Sequence, residues 1–172
     1  MKKTLIVVGI LAALGFSIFA YLGGFKDYPI AVKQQENLRL YGLTYKGTPQ
    51  DEGLKNTFKT VEAAMKDAPE AILHTIYYVE PAGKLDTMSV FVGLDQVKGT
   101  TKPTWEEQVI TAEQFLVADL HYHKLVMPRP ETIKSDLQDY AETHEIKLQG
   151  IFIDRLLQPD HVQVWAPIAK KK

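Results

Sequence analysis

Leu54-Lys-Asn-Thr-Phe58-Lys-Thr-Val61 and Ile133-Lys-Ser-Asp-Leu137-Gln-Asp-Tyr140 stand 79 residues apart and carry apolar side chains at the same three offsets. Residues spaced i, i+4 and i+7 share one face of an α-helix. Each stretch therefore predicts an amphipathic helix. The first, over 53–68, is opened by Pro49, Asp51 and Gly53 and stopped by Pro69. The second, over 130–145, is entered through Pro128 and Pro130.

The flanks of the two helices match as well. Leu38 to Lys46 alternates apolar and polar residues and reads as a strand ending at Gly47. After the first helix, Ala71 to Glu80 is rich in β-branched and aromatic residues. Pro81-Ala82-Gly83 is a turn signal, and Asp86 to Val97 is the returning strand. The second copy repeats this order with strands at Gln114–His123, Gly150–Leu157 and His161–Ala169, the last two joined by Gln158-Pro159-Asp160. One such unit cannot bury both its sheet and its helix well. The expected fold is therefore α+β: duplicated β-α-β-β units forming one antiparallel sheet, with two helices on one face. The opposite face is expected to be free, and a groove along the pseudo-twofold axis is the expected ligand site.

Ahead of these units, Lys2 and Lys3 precede Leu5 to Phe25, a run without a charge. Its length suits a helix crossing a hydrocarbon core of roughly 30 Å. The expectation is an N-terminal transmembrane helix, a membrane anchor over 1–25. The lysines keep the N-terminus in the cytoplasm and send the domain outside it, into the periplasm or beyond. A cleaved signal is the competing reading, with its best site after Ala20, but Ile18 is bulky where a small residue is preferred. Residues 26–36 read as a spacer, and 37–169 as one domain. Beyond the anchor roughly 145 residues remain, enough for a single core. The formal charge of −1 and the absence of cysteine argue against general nucleic-acid attraction, disulfides and thiolate chemistry. The basic tail Lys170 to Lys172 reads as a solvated end.

Several stretches resemble a known family. They are Ile76-Tyr77-Tyr78 with the Pro-Gly turn and Val90-Phe91-Val92-Gly93, then Leu116-Val117-Ala118 and Leu148-Gln149-Gly150. Gln158-Pro159-Asp160 and Val164-Trp165-Ala166-Pro167-Ile168 complete the set. Over 37–169 the chain is similar to GyrI-like small-molecule-binding domains, the effector-binding part of AraC- and MerR-type regulators. The resemblance implies a small apolar or aromatic ligand. Two departures qualify it. A membrane segment stands where such regulators carry a DNA-binding domain, so no nucleic-acid partner is expected. Gln163 stands four residues before Pro167, where cation-binding members commonly carry a glutamate. An amide offers a cation only a dipole.

Aromatic walls with polar tips suit flat ligands, and Tyr41, Tyr77, Tyr78, Gln163 and Trp165 are the expected ligand-binding residues. Adjacent Tyr77 and Tyr78 point to opposite faces, and so do Asp154 and Arg155. Asp119, His121 and His123 alternate along one strand. That pattern suits a metal, but the polar face of a half-buried strand is the preferred reading. His74 and His144 read as structural, and no metal or cofactor is expected. Glu80, Asp119 and the histidines could act as acid or base, yet no nucleophile elbow, phosphate loop or zinc motif is present. Hydrolysis of a reactive small molecule, which the resemblance allows, and binding of an envelope protein partner stand as the alternatives to small-molecule binding.

Overall fold

The computed structural model describes residues 2–24, 27–81, 83, 85–97, 105–123 and 125–170, without the side chains of residues 2, 3 and 5. Met1 and Phe25 at the ends of the expected anchor, Lys26, the turn residue Ala82 and the tail residues Lys171 and Lys172 lie outside the described residues. Helix α1 (Lys2–Tyr21) is followed by strands β1 (Ile30–Gln34) and β2 (Leu38–Gly47), then α2 (Glu52–Ala64). Strands β3 (Leu73–Val79), β4 (Met88–Leu94), β5 (Glu106–Ile110) and β6 (Gln114–His121) come next. Helix α3 (Pro130–Thr143) and strands β7 (Ile153–Gln158) and β8 (His161–Pro167) complete the chain.

The two amphipathic helices form for the reasons their sequences give. The Asp51 carboxylate accepts the Gly53 N–H at 2.7 Å and caps α2. Pro130 supplies the preset φ of the first turn of α3, whose preceding residue, Arg129, makes no side-chain cap. Val61 of α2 and Ile133, Leu137 and Ala141 of α3 are buried. They pack on Val90, Val92 and Leu94 of β4 in one half and on Leu116, Ala118 and Val164 in the other. Register places all these strand residues on one face, so both helices cover the same side of the sheet.

The sheet has eight antiparallel strands in the order β1-β6-β8-β7-β3-β4-β2-β5. Two of them, β1 and β5, fall outside the expected units; β1 lies in the stretch read as a spacer. Each pairs with the first strand of the other half: β1 with β6, and β5 with β2. Yet β1 leads into β2, and β5 into β6, through three residues each. The two links hydrogen-bond to each other, Gln35 N–H to Glu113 O at 3.2 Å and Asn37 N–H to Ala112 O at 3.0 Å. The sheet must therefore curl until its two ends meet.

This curl corrects the expectation of a free face. The side away from the helices encloses its own core of Leu40, Ile76, Phe91, Phe115, Ile153 and Trp165, all at most 1% exposed. The pseudo-twofold passes between β3 and β7. There Thr75 pairs with Asp154, its own counterpart 79 residues on.

The expected transmembrane helix is not found. The part of α1 described with its side chains is Thr4 and the run from Ile6, and among the described residues no helix is long and apolar enough to cross a membrane.

Candidate ligand-binding site

Strand register lines up four polar side chains across the inner face: Asp119 opposite Gln163, Gln163 opposite Arg155, and Arg155 opposite His74. Three of them form a buried chain. Arg155 Nε donates to His74 Nε2 at 2.9 Å, and Nη1 donates to Gln163 Oε1 at 3.3 Å. The same amide oxygen accepts the Trp165 indole N–H at 3.0 Å. The guanidinium lies 4.0 Å from the centre of the Trp165 ring, a close cation–π contact.

Because His74 Nε2 accepts, its proton sits on Nδ1, which donates to Ile72 O at 2.9 Å. Burial lowers the His74 pKa to about 4, and the neighbouring guanidinium adds to the effect. A neutral imidazole is the state the arginine needs. Arg155 makes no ion pair among the described residues, and burial lowers its pKa. Its charge is held by an imidazole, an amide and an indole face, and the Asp95 charge favours it from farther off.

Gln163 and Trp165 thus share one face, as period-2 geometry requires. Trp165, however, is fully buried and packs on Phe115, ring centres 5.1 Å apart. The chain's own guanidinium occupies the space beside it.

Tyr77 and Tyr78 open elsewhere. A register shift at the end of β3 splays the strand after Tyr77. There Tyr77, Tyr78 and Glu80 meet Lys134 and Gln138 of α3 and Phe152, around a cleft of about 420 Å³. The Lys134 ammonium pairs with Glu80 and sits 5.8 Å from the centre of the Tyr77 ring and 5.7 Å from that of Phe152. Burial lowers the Lys134 pKa, and the Asp154 charge opposes the shift. Asp154 is raised by its own burial against the opposing pull of Lys134 and a Thr75 hydrogen bond.

Tyr78, about half exposed, also borders a shallow groove of about 950 Å³ with Thr44, Ser89, Glu106 and Gln108. Tyr41 lies apart from both, its hydroxyl donating to Glu107 at 3.2 Å on the β2–β5 edge. Another cleft, of about 1000 Å³, is bordered by Glu113, Glu145, Lys147 and Lys170 and gathers no tyrosine, tryptophan or phenylalanine.

Of the five expected residues, the structure brings together Gln163 with Trp165, and Tyr77 with Tyr78, in two separate places. The reading of residues missed Lys134 and Phe152, which reach the Tyr77 cleft from α3 and the segment before β7. It also missed the pairing of His74 with Arg155. Strand parity correctly sent Asp154 and Arg155 to opposite faces. Asp119 and His121 gather a histidine, but it is His161 of β8. His123 lies beyond β6, where its Nδ1 accepts the Leu125 N–H at 3.3 Å.

No family model matches the chain, and no curated protein matches it by sequence. Solved structures share the fold. A hydrolase from Listeria innocua aligns over 81% of this chain and 91% of its own at 10% identity and a TM-score of 0.57. The EcmrR C-terminal domain aligns over 85% and 100% at 13% identity and a TM-score of 0.57. EcmrR in its DNA complex aligns over 99% and 68% at 12% identity and a TM-score of 0.59. These likenesses are consistent with a GyrI-like fold.

Proposed function

We propose that the protein binds a small, uncharged aromatic molecule in the cleft between β3 and α3, with Tyr77 and Phe152 as its walls. The observation that carries this reading is the occupancy of the aromatic seats. Lys134 lies over both Tyr77 and Phe152, and Arg155 lies over Trp165. A ligand entering between Tyr77 and Phe152 meets aromatic faces beside a fixed ammonium. The cation seats over both rings are already taken by Lys134, whose charge Glu80 pairs while Glu131 also lines the cleft. A neutral ring is favoured because a second cation would have to displace the ammonium, rather than by charge repulsion. The shared GyrI-like fold supports small-molecule binding of this general kind.

Thermal shifts of the protein with 2-naphthol and with naphthylmethylammonium test the charge preference. The neutral compound should raise the midpoint in proportion to its saturation. A larger shift with the cation would contradict the proposal.

Membrane attachment belongs to the same proposal. Ile6, Val7, Val8, Ile10, Leu11, Leu14 and Phe16 of α1 are each more than half exposed. An exposed helix apolar on every side calls for an apolar surrounding. Retention in the membrane fraction after alkaline extraction is the expected result; release would count against the anchor.

A further inference from the structure

We propose that Asp119, His121 and His161 form a binding site for a first-row divalent metal ion, Zn²⁺ foremost, at the end of the β6–β8 ladder. The site rests on neither the aromatic cleft nor the proposed ligand. Its geometry follows from register. His121 pairs directly with His161 across the two strands, and Asp119 precedes His121 by two, on the same face. Cross-strand partners hold their Cβ atoms about 5 Å apart, so both imidazoles reach one carboxylate.

His161 Nε2 lies 2.6 Å from Asp119 Oδ1, and His121 Nε2 lies 3.7 Å from the same oxygen. The donor atoms of the three residues all lie within 4.8 Å of one another. Tetrahedral zinc with bonds of about 2.0–2.1 Å spaces its donors by about 3.3 Å. The two separations from the carboxylate straddle that value, and the separation between the two imidazole nitrogens, at most 4.8 Å, closes to it by a shift of up to about 1.5 Å.

Two imidazoles and a carboxylate are the borderline donors that suit zinc, nickel and cobalt rather than magnesium or calcium. The imidazole rings lie stacked, centres 3.7 Å apart, over a carboxylate shared by both. Coordination would require the two rings to turn out of this stack, so that their in-plane nitrogen lone pairs converge on one ion. The His121 side chain is two-thirds exposed, so the ion has a path from solvent. Three protein ligands leave a fourth position for water or an outside donor, as in open zinc sites.

Equilibrium dialysis of the untagged full chain, held in mild non-ionic detergent, against micromolar Zn²⁺ tests the site. The expected result is one zinc per chain. His161→Ala and His121→Ala should each weaken binding tenfold or more, while His123→Ala leaves it unchanged. Co²⁺ in place of zinc should give the intense visible absorption of a low-coordinate site, lost in the same two variants. His121 is exposed enough that His121→Ala should melt like wild type, which keeps the test valid should His161→Ala misfold. Saturation only at millimolar zinc, or full affinity in His121→Ala, would overturn the assignment.

Discussion

At the scale of single residues, the least expected feature is a buried guanidinium that makes no ion pair among the described residues. Arg155 depends on His74 staying neutral, and that sets a pH dependence. The folded-state His74 pKa, about 4, lies below its unfolded value of 6.5. Between the two the unfolded chain binds more protons, so stability rises with pH across this window. The contribution is complete above about pH 6.5 and is lost as pH falls toward 4. Melting temperatures of wild type and His74→Gln from pH 8 to pH 4 should diverge in that direction, with the variant losing less. Parallel curves would show that His74 does not carry the effect. Gln163→Glu belongs to the same chain of contacts. The new carboxylate would meet Arg155, which already bonds that position. It should pair internally and leave naphthylmethylammonium affinity unchanged; a tenfold gain would show that the residue faces the ligand. The glutamine and tryptophan positions were legible from period-2 alternation. The arginine between them was not, because alternation says which face a side chain leaves by and nothing about what it meets on a neighbouring strand.

Among the elements, the duplicated helices were legible and the edge strands were not. The spacing of Phe58 and Val61 reappears in Leu137 and Tyr140; α3 formed where expected, and α2 ends at Ala64, short of the expected stop at Pro69. Strand β5, Glu-Glu-Gln-Val-Ile, is polar and mostly exposed, and β1 is short with four of its five residues exposed. Edge strands are commonly short and charged, which suppresses the pattern by which strands are recognised. The two helices also differ in their caps, and the difference is measurable. Asp51→Ala should cost about 1 kcal/mol of stability, because the Gly53 N–H loses its acceptor. Arg129→Asp should gain up to about 1 kcal/mol by supplying the missing cap of α3. Urea unfolding of both variants checks the pair, and a loss in Arg129→Asp would show that the arginine has another role.

Over the whole molecule, curling of the sheet decides where a ligand can enter. With the inner face filled by Phe91, Phe115 and Trp165, the cleft beside β3 and α3 gathers the partly exposed rings of Tyr77, Tyr78 and Phe152. The duplication was readable, but the exchange of β1 and β5 between halves was not, since it depends on pairing between distant segments. Helix α1 makes no extensive contact with the sheet or the other helices. A fragment from Asp27 to Lys172 should therefore melt within a few degrees of the full chain, yet leave the membrane fraction. A collapse in melting temperature would show that α1 supports the fold.

Isothermal titration of 2-naphthol into wild type, Phe152→Ala and Tyr41→Ala locates the ligand. Saturable binding to wild type, weakened roughly tenfold by Phe152→Ala for about 1–2 kcal/mol of lost apolar contact and unchanged by Tyr41→Ala, is the predicted result. Equal affinity in wild type and Phe152→Ala, or no saturable binding at all, would contradict it.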